Sequence, residues 1–389
     1  MRLKQKVWKA ILGGHLIAAV ALAQPPTYKV TDLGAVGPNG QPFAITNNGR
    51  VAGATQVGEI VRAELWYKGR VVDLGQPGLK GQNSQAFGVN AWGQAVGEAQ
   101  TDSPDPQGED FCGFAALGLA SSGTTCLPFV WQNGVMRPLP TLGGSNGQAN
   151  QINSQGEAAG MVENDTPDST CPSGGPQKLE FMPVVWQNGN VRELPTYPGD
   201  SDGNAHAIND SGHAAGGSGV CGAFNPIWGS NLQPLHALLW EGSETIDLGS
   251  LGGTGHGDGI MAIGLNNHDQ VIGSSDLEGD ATFHAFLWTH ETGMQDLGTV
   301  PGDVDSAALG INDLGQIVGV SLDANFNPRA FLRHREELVD LNALVPASSP
   351  LHLATACSIN AAGEIIGFAF DNSGNVHAYL AVPNNFRRP

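Results

Sequence analysis

The sequence predicts an all-β fold, a seven-bladed β-propeller, on three observations. An Asn-x-x-Gly-x-x-x-Gly frame recurs at Asn90/Gly97, Asn153/Gly160, Asn209/Gly216, Asn312/Gly319 and Asn360/Gly367. Two degenerate copies join it: Thr46/Gly53, which lacks the Asn, and Asn266/Gly273, which has Asp269 in place of the turn Gly. The seven copies are spaced by 44, 63, 56, 57, 46 and 48 residues, and periods near 45 with four strands each are the propeller signal. The second observation is the content of one copy. His284–Ser321 holds four short apolar runs, Ala285–Trp288, Met294–Leu297, Ala307–Ile311 and Gln316–Val320, separated by turn formers, as in short antiparallel strands. Asn312-Asp313-Leu314-Gly315 has the Asn-first, Gly-fourth order of a type I turn.

The third observation is that the two ends complement each other. Tyr28–Gly34 matches a fourth strand but precedes the first full copy, and His377–Val382 matches a third strand with no fourth after it. Pairing them completes the last blade and leaves no open sheet edge.

Taken in order, residues 1–23 read as a signal peptide. Arg2, Lys4, Lys6 and Lys9 form a basic start, Ala10–Val20 is mostly apolar, and Ala21-Leu22-Ala23 fits a small-x-small cleavage site. The apolar run is too short to span a bilayer, so no membrane insertion is expected after cleavage, and residues 24–389 form one propeller domain, expected to be monomeric. Removing the segment takes four of 18 basic residues and none of 37 acidic ones, leaving 14 − 37 = −23. That charge excludes nucleic acid and anionic membrane surfaces as partners. An exported location follows, secreted or periplasmic.

Third strands are expected at Ala63–Trp66, Phe129–Trp131, Val184–Trp186, Ala237–Trp240, Ala285–Trp288, Ala330–Leu332 and Ala378–Leu380. The Trp that ends five of them reads as packing between neighbouring sheets. These motifs resemble a known family. HAFLW at 284–288, HALLW at 236–240, Asp-Leu-Gly-x-Leu-Gly-Gly at 247–253 and GINDLGQIVG at 310–319 are similar to the HAF repeats of probable extracellular proteins. In the first three copies Arg62, Leu127 and Met182 replace the His. The resemblance implies a secreted repeat protein and assigns no chemistry.

In an up-and-down blade, second-to-third connections lie on the same face as the blade crossings. Insertions at 98–126, 161–181 and 217–235 fall there, on three adjacent blades, and variable loops on a rigid scaffold concentrate function. They hold Cys112, Cys126, Cys171 and Cys221, which favour disulfides in an exported protein; Cys112 with Cys126 and Cys171 with Cys221 is the expected pairing of three. Cys357 is expected to be a buried free thiol.

The crossings carry a polar constellation. Seven residues before the turn Asn stand Asn83, Asn146, Asp202 and Asp305; nine before it stand Asp200 and Asp303. His206, His256, Asp258 and His352 join them. Three readings are open: solvated turns with local Asx bonds, a Ca2+ site using Asp200, Asp202, Asp303 and Asp305, or acid–base chemistry at His206 or His256. Phe111, Phe114, Tyr197, Phe224 and Trp228 lie on the same face, where they suit either sugar rings or a small hydrophobic cap. With Asn83, Asn146, Tyr197, Trp228, Asp258 and His352 as ligand-binding candidates, the expected function is binding an extracellular ligand, a glycan or other polar polymer. The alternatives are a polysaccharide lyase or hydrolase with His206 or His256 as base, and a structural or protein-interaction scaffold.

Overall fold

The computed structural model describes residues 25–384 except 76–77, 110, 113–118, 120–122, 174, 176 and 226–229. The segment assigned as a signal therefore lies outside the described residues. Seven four-stranded antiparallel sheets form the blades. Blades one to three begin with the inner strands Gln41–Ile45, Lys80–Val89 and Gly147–Ile152. Blades four to seven begin with Asp202–Ile208, Ile260–Leu265, Asp305–Ile311 and Leu351–Ile359. The seventh sheet takes its outer strand from the other end of the chain: Tyr28–Ala35 runs antiparallel to Val376–Pro383, from Tyr28 opposite Pro383 to Ala35 opposite His377.

The core is a ring of cores. Seven apolar clusters each span two neighbouring blades, as where Trp240 of blade four meets Ala159 and Val185 of blade three. Trp66, Trp186, Trp240 and Trp288 are buried, and Trp186 and Trp240 also donate their indole N–H to Pro140 O and Pro195 O at 2.8 Å. Packing is thus their role, as large aromatics with one polar atom favour.

The repeated Asn does more than make a turn. Asn312 Oδ1 accepts from the backbone N–H groups of Leu314 and Gln316, both at 3.0 Å. Its Nδ2 donates to Gln316 Oε1 at 2.8 Å and to Asn360 O, in the next blade, at 2.9 Å. Both donors and both lone pairs of the amide are used. The interblade bond repeats from Asn90 to Asn153, Asn209, Asn266, Asn312 and Asn360, and Asn360 donates to Thr46 O of blade one. Thr46 cannot continue the series. Asn48 and Arg50 take its place by donating to Ala91 O at 2.9 and 2.8 Å.

The second Gly of the frame has an equally local cause. Every inner strand carries a β-bulge, a register slip that skips one residue: Phe43, Phe87, Asn150, His206, Ile263, Leu309 and Cys357. The frame Gly faces that slip. A Cβ on Gly319 would fall 2.0 Å from Ala307 O, and one on Gly97 would fall 1.9 Å from Gln85 O. Only glycine permits so close a backbone approach.

The insertions are partly strand. The 217–235 segment is largely an extension of the hairpin, with Ala214–Asn225 paired to Ser230–Glu241 as far as Asn225 opposite Ser230. Disulfides link Cys112 to Cys126 and Cys171 to Cys221, with Cα separations of 5.7 and 4.9 Å. No helix among the described residues is long and apolar enough to cross a membrane.

Candidate functional site

All seven bulged residues line one central cavity of about 710 Å³. A bulge bends its strand and re-aims one side chain, and here it does so at the same register in every blade. Each of the seven is half-buried while its predecessor, Ala in six blades and Pro42 in the first, is buried. The ring is unevenly composed. Ile263, Leu309, Cys357, Phe43 and Phe87, from blades five, six, seven, one and two, form a mostly apolar arc. Phe43 and Phe87 meet edge to face, centroids 5.0 Å apart. Asn150 and His206, from blades three and four, form the polar arc.

A hydrogen-bond chain holds the polar arc in place. Gln148 Nε2 donates to Asn150 Oδ1 at 2.9 Å, and Asn150 Nδ2 donates to Asn204 Oδ1 at 2.7 Å and to Ala205 O at 3.0 Å. Asn204 Nδ2 lies 3.2 Å from His206 Nε2. Since Asn204 Oδ1 is the acceptor, its amide nitrogen is the donor to that ring nitrogen, and the neutral imidazole carries its proton on Nδ1. Burial pushes the His206 pKa down to about 4, so the ring is uncharged at neutral pH. His206 was expected in a crossing loop. It stands instead in an inner strand, because that strand begins at Asp202.

The other nominated residues divide into pins and outliers. Asn83, Asn146, Asp202 and Asp305 each accept a backbone N–H from the preceding blade's third strand: Val61 at 2.9 Å, Cys126 at 2.8 Å, Phe181 at 2.8 Å and Phe283 at 3.1 Å. All four are buried. Asp202 also receives Gln177 Nε2, and burial, with Asp168 nearby, raises its carboxyl well above the ordinary range. These positions fasten blade to blade, so the solvated-turn reading does not describe them.

Asp200 accepts from Ser218 Oγ and meets His236 Nδ1 at 2.9 Å. Asp303 is a buried carboxylate in contact with Arg329 Nη2 at 3.0 Å, without an aligned hydrogen bond. Among the described residues, no three His, Cys, Asp or Glu groups close enough to hold one ion include Asp200, Asp202, Asp303 or Asp305. Asp258 and Asp305 are brought together: burial, and then the Asp305 charge, raises the Asp258 carboxyl. His256 and His352 are exposed and outside the cavity lining. Tyr197 stacks on His236, centroids 3.7 Å apart. Phe111 packs edge to face on Phe181 at 4.9 Å and against the Cys112–Cys126 cluster, as a cap would. Trp228 and Phe114 lie outside the described residues.

The signature residues of the repeat are structural. Arg62 with Asp73, His284 with Asp296 and His377 with Asp32 pair third strand to fourth at 2.9 to 3.0 Å. Cys357 is free and lines the cavity, and burial pushes its thiol up to about 12, so it is protonated and unreactive.

Sequence reasoning missed Phe43, Phe87, Asn150, Gln148 and Asn204. A signal existed: one variable residue between two small ones, as in Ala86-Phe87-Gly88, Ala205-His206-Ala207 and Ala308-Leu309-Gly310.

No family model and no curated protein matches the chain. Among solved structures it is similar to the β-propeller domain of the Trilobed protease from Pyrococcus furiosus, described as having an open velcro topology. That match has 6% identity and a TM-score of 0.47, over 93% of this chain and 100% of that one. It is also similar to TolB from Acinetobacter baumannii, at 10% identity and TM-score 0.33, covering 91% of this chain and 54% of that one. A third is dipeptidyl peptidase 4 from Porphyromonas gingivalis, at 9% identity and TM-score 0.40, covering 88% and 59%. Similarities this distant carry no activity over to this chain.

Proposed function

We propose that this propeller is an exported binding protein whose central cavity takes a neutral saccharide, the end or a short stretch of a polar polymer. The observation that carries the reading is the divided ring of bulged residues. A sugar ring has apolar faces and hydroxyl edges; the Phe43–Phe87 arc suits the first, and the Gln148–Asn150–Asn204–His206 chain suits the second. The amide chain is already fully oriented, so little ordering is lost when a ligand arrives. A neutral ligand also fits a chain whose mature form carries an excess of 23 acidic residues. Two disulfides agree with an oxidising compartment, and a mature N-terminus at Gln24 is the expected mass-spectrometric result.

The lyase alternative fares worse, since His256 is exposed and outside the cavity lining and His206 is poorly suited to act as a base. A general base works best with a pKa near the operating pH, and His206, lowered to about 4, is too weak a base. The test is calorimetric titration with neutral oligosaccharides chosen from a glycan array. Phe87→Ala and Asn150→Ala should each weaken binding by about tenfold or more, given about 1.4 kcal/mol per decade. Failure of the intact protein to bind any glycan, or full binding by both variants, would remove the proposal. Release of unsaturated sugar ends would instead revive the lyase.

A further inference from the structure

Blades four and five break the repeat together, on the face opposite the insertions. In five blades the residue four after the turn Asn accepts that Asn's own amide N–H: Gln94, Glu157, Gln270, Gln316 and Glu364, at 2.7 to 2.8 Å. Blade four has His213 there, and Asn209 Nδ2 donates instead to Asp269 Oδ1 of blade five at 2.8 Å. Asp269 is itself a departure. It occupies the turn position that Gly49, Gly93, Gly156, Gly212, Gly315 and Gly363 hold elsewhere, at φ +55°.

The two departures meet. His213 Nδ1 lies 2.9 Å from Asp269 Oδ1 and 3.9 Å from Glu241 Oε1. One donor atom from each of His213, Glu241 and Asp269 falls within 4.8 Å of the other two. Glu241 ends the third strand of blade four, and at the matching end of blade five His290 Nε2 lies 2.8 Å from the same Glu241 oxygen. The His290 ring rests on the edge of Trp288, centroids 4.8 Å apart. None of these groups is sealed off: His213, Glu241 and Asp269 side chains are 28, 21 and 27% exposed.

We propose that His213, Glu241 and Asp269 bind one divalent transition-metal ion, Zn2+ by donor type, which ties blade four to blade five, with His290 holding Glu241 from outside. In a tetrahedral site with three protein ligands, a water and bonds of about 2.0–2.1 Å, donor atoms stand about 3.3 Å apart; two of the three separations here, 2.9 and 3.9 Å, bracket that value, and the third is within 4.8 Å. One imidazole and two carboxylates, with water completing the shell, suit Zn2+ or Co2+; Ca2+ and Mg2+ prefer oxygen alone. Asn209, which donates to Asp269 while fixed by its own turn, orients one ligand from outside, as such sites require.

The repeat supplies its own control. In His213→Gln with Asp269→Gly, both positions return to residues used by the other blades, so the ring keeps its turn chemistry while two ligands go. Metal-free full-length protein is titrated with Zn2+ alone and, separately, loaded with Co2+. The wild type should take up one Zn2+ per chain, melt higher with it, and give the visible absorption of four-coordinate Co2+. The double variant should fold, melt in chelator at the wild-type temperature or above, and lose all three responses. His290→Ala should weaken Zn2+ by about tenfold or more. Absence of the one-ion step in the wild type would overturn the site, and so would its persistence in the double variant.

Discussion

The two ends of the ring are built by opposite rules. At the turn end, one amide side chain per blade closes a tight turn and reaches the next blade, and Asn312 leaves none of its hydrogen-bonding capacity unused. At the inserted end, the same ring crowds several carboxylates around one amide. Asn146 Nδ2 alone lies 2.7 to 3.3 Å from oxygens of Asp105, Glu109 and Glu163, though an amide has only two hydrogens to give. Burial, and the Glu109 carboxyl beside it, push the Glu163 pKa well above the carboxylate range. Where the repeat is kept, residues hold the ring; where it is broken, polar groups are left that the ring does not need. The His213–Asp269 junction shows that this distinction also operates within the regular end.

The contrast can be broken most severely at the closing strand. If repeat strands carry the fold, deleting Tyr28–Gly34 exposes the edge of the last blade, and size-exclusion chromatography should show aggregate in place of monomer. A soluble monomeric deletion with unchanged melting temperature would mean that the ring does not depend on this strand.

A smaller effect sharpens the turn end. Asn312→Ala removes the partner of Leu314 N, Gln316 N and Asn360 O. It should cost about 2–3 kcal/mol in a denaturant titration, since buried groups left unpaired are penalised by about 1–3 kcal/mol each and the turn can partly rehydrate. A loss under about 0.5 kcal/mol, the scale of an ordinary surface substitution, would show that the belt is decorative.

The smallest effect has the opposite sign and lies at the inserted end. Glu163 binds its proton more tightly folded than unfolded. The folded state therefore holds more protons once pH exceeds the ordinary carboxylate value, and stability must fall as pH rises from there toward the raised value. Wild-type protein should melt higher at pH 5 than at pH 8. Glu163→Gln should flatten that slope and gain about 1 kcal/mol at pH 8, the scale of one pKa unit. An unchanged slope would assign the pH dependence to other groups, with Asp202, also raised by burial, the first to test.

Much of this architecture was legible in the chain. Blade number, turn positions and strand order follow from local spacing, because a turn needs its Asn and Gly at fixed offsets whatever surrounds it. The disulfide partners were legible for a similar reason: four cysteines in three neighbouring insertions leave few pairings. The cavity lining was not, because alternation along a strand assigns sides by counting in twos, and the bulge before each turn Asn shifts that count by one. Nor could the sequence show that Asp202 and Asp305 are buried pins. Their partners, the N–H groups of Phe181 and Phe283, are about twenty residues away on another blade. The cluster proposed to hold a metal was furthest from reach, since His213 and Asp269 are 56 residues apart and meet only because blades four and five pack side by side. Local chemistry wrote the repeat. Only the closed ring decided which of its exceptions would meet.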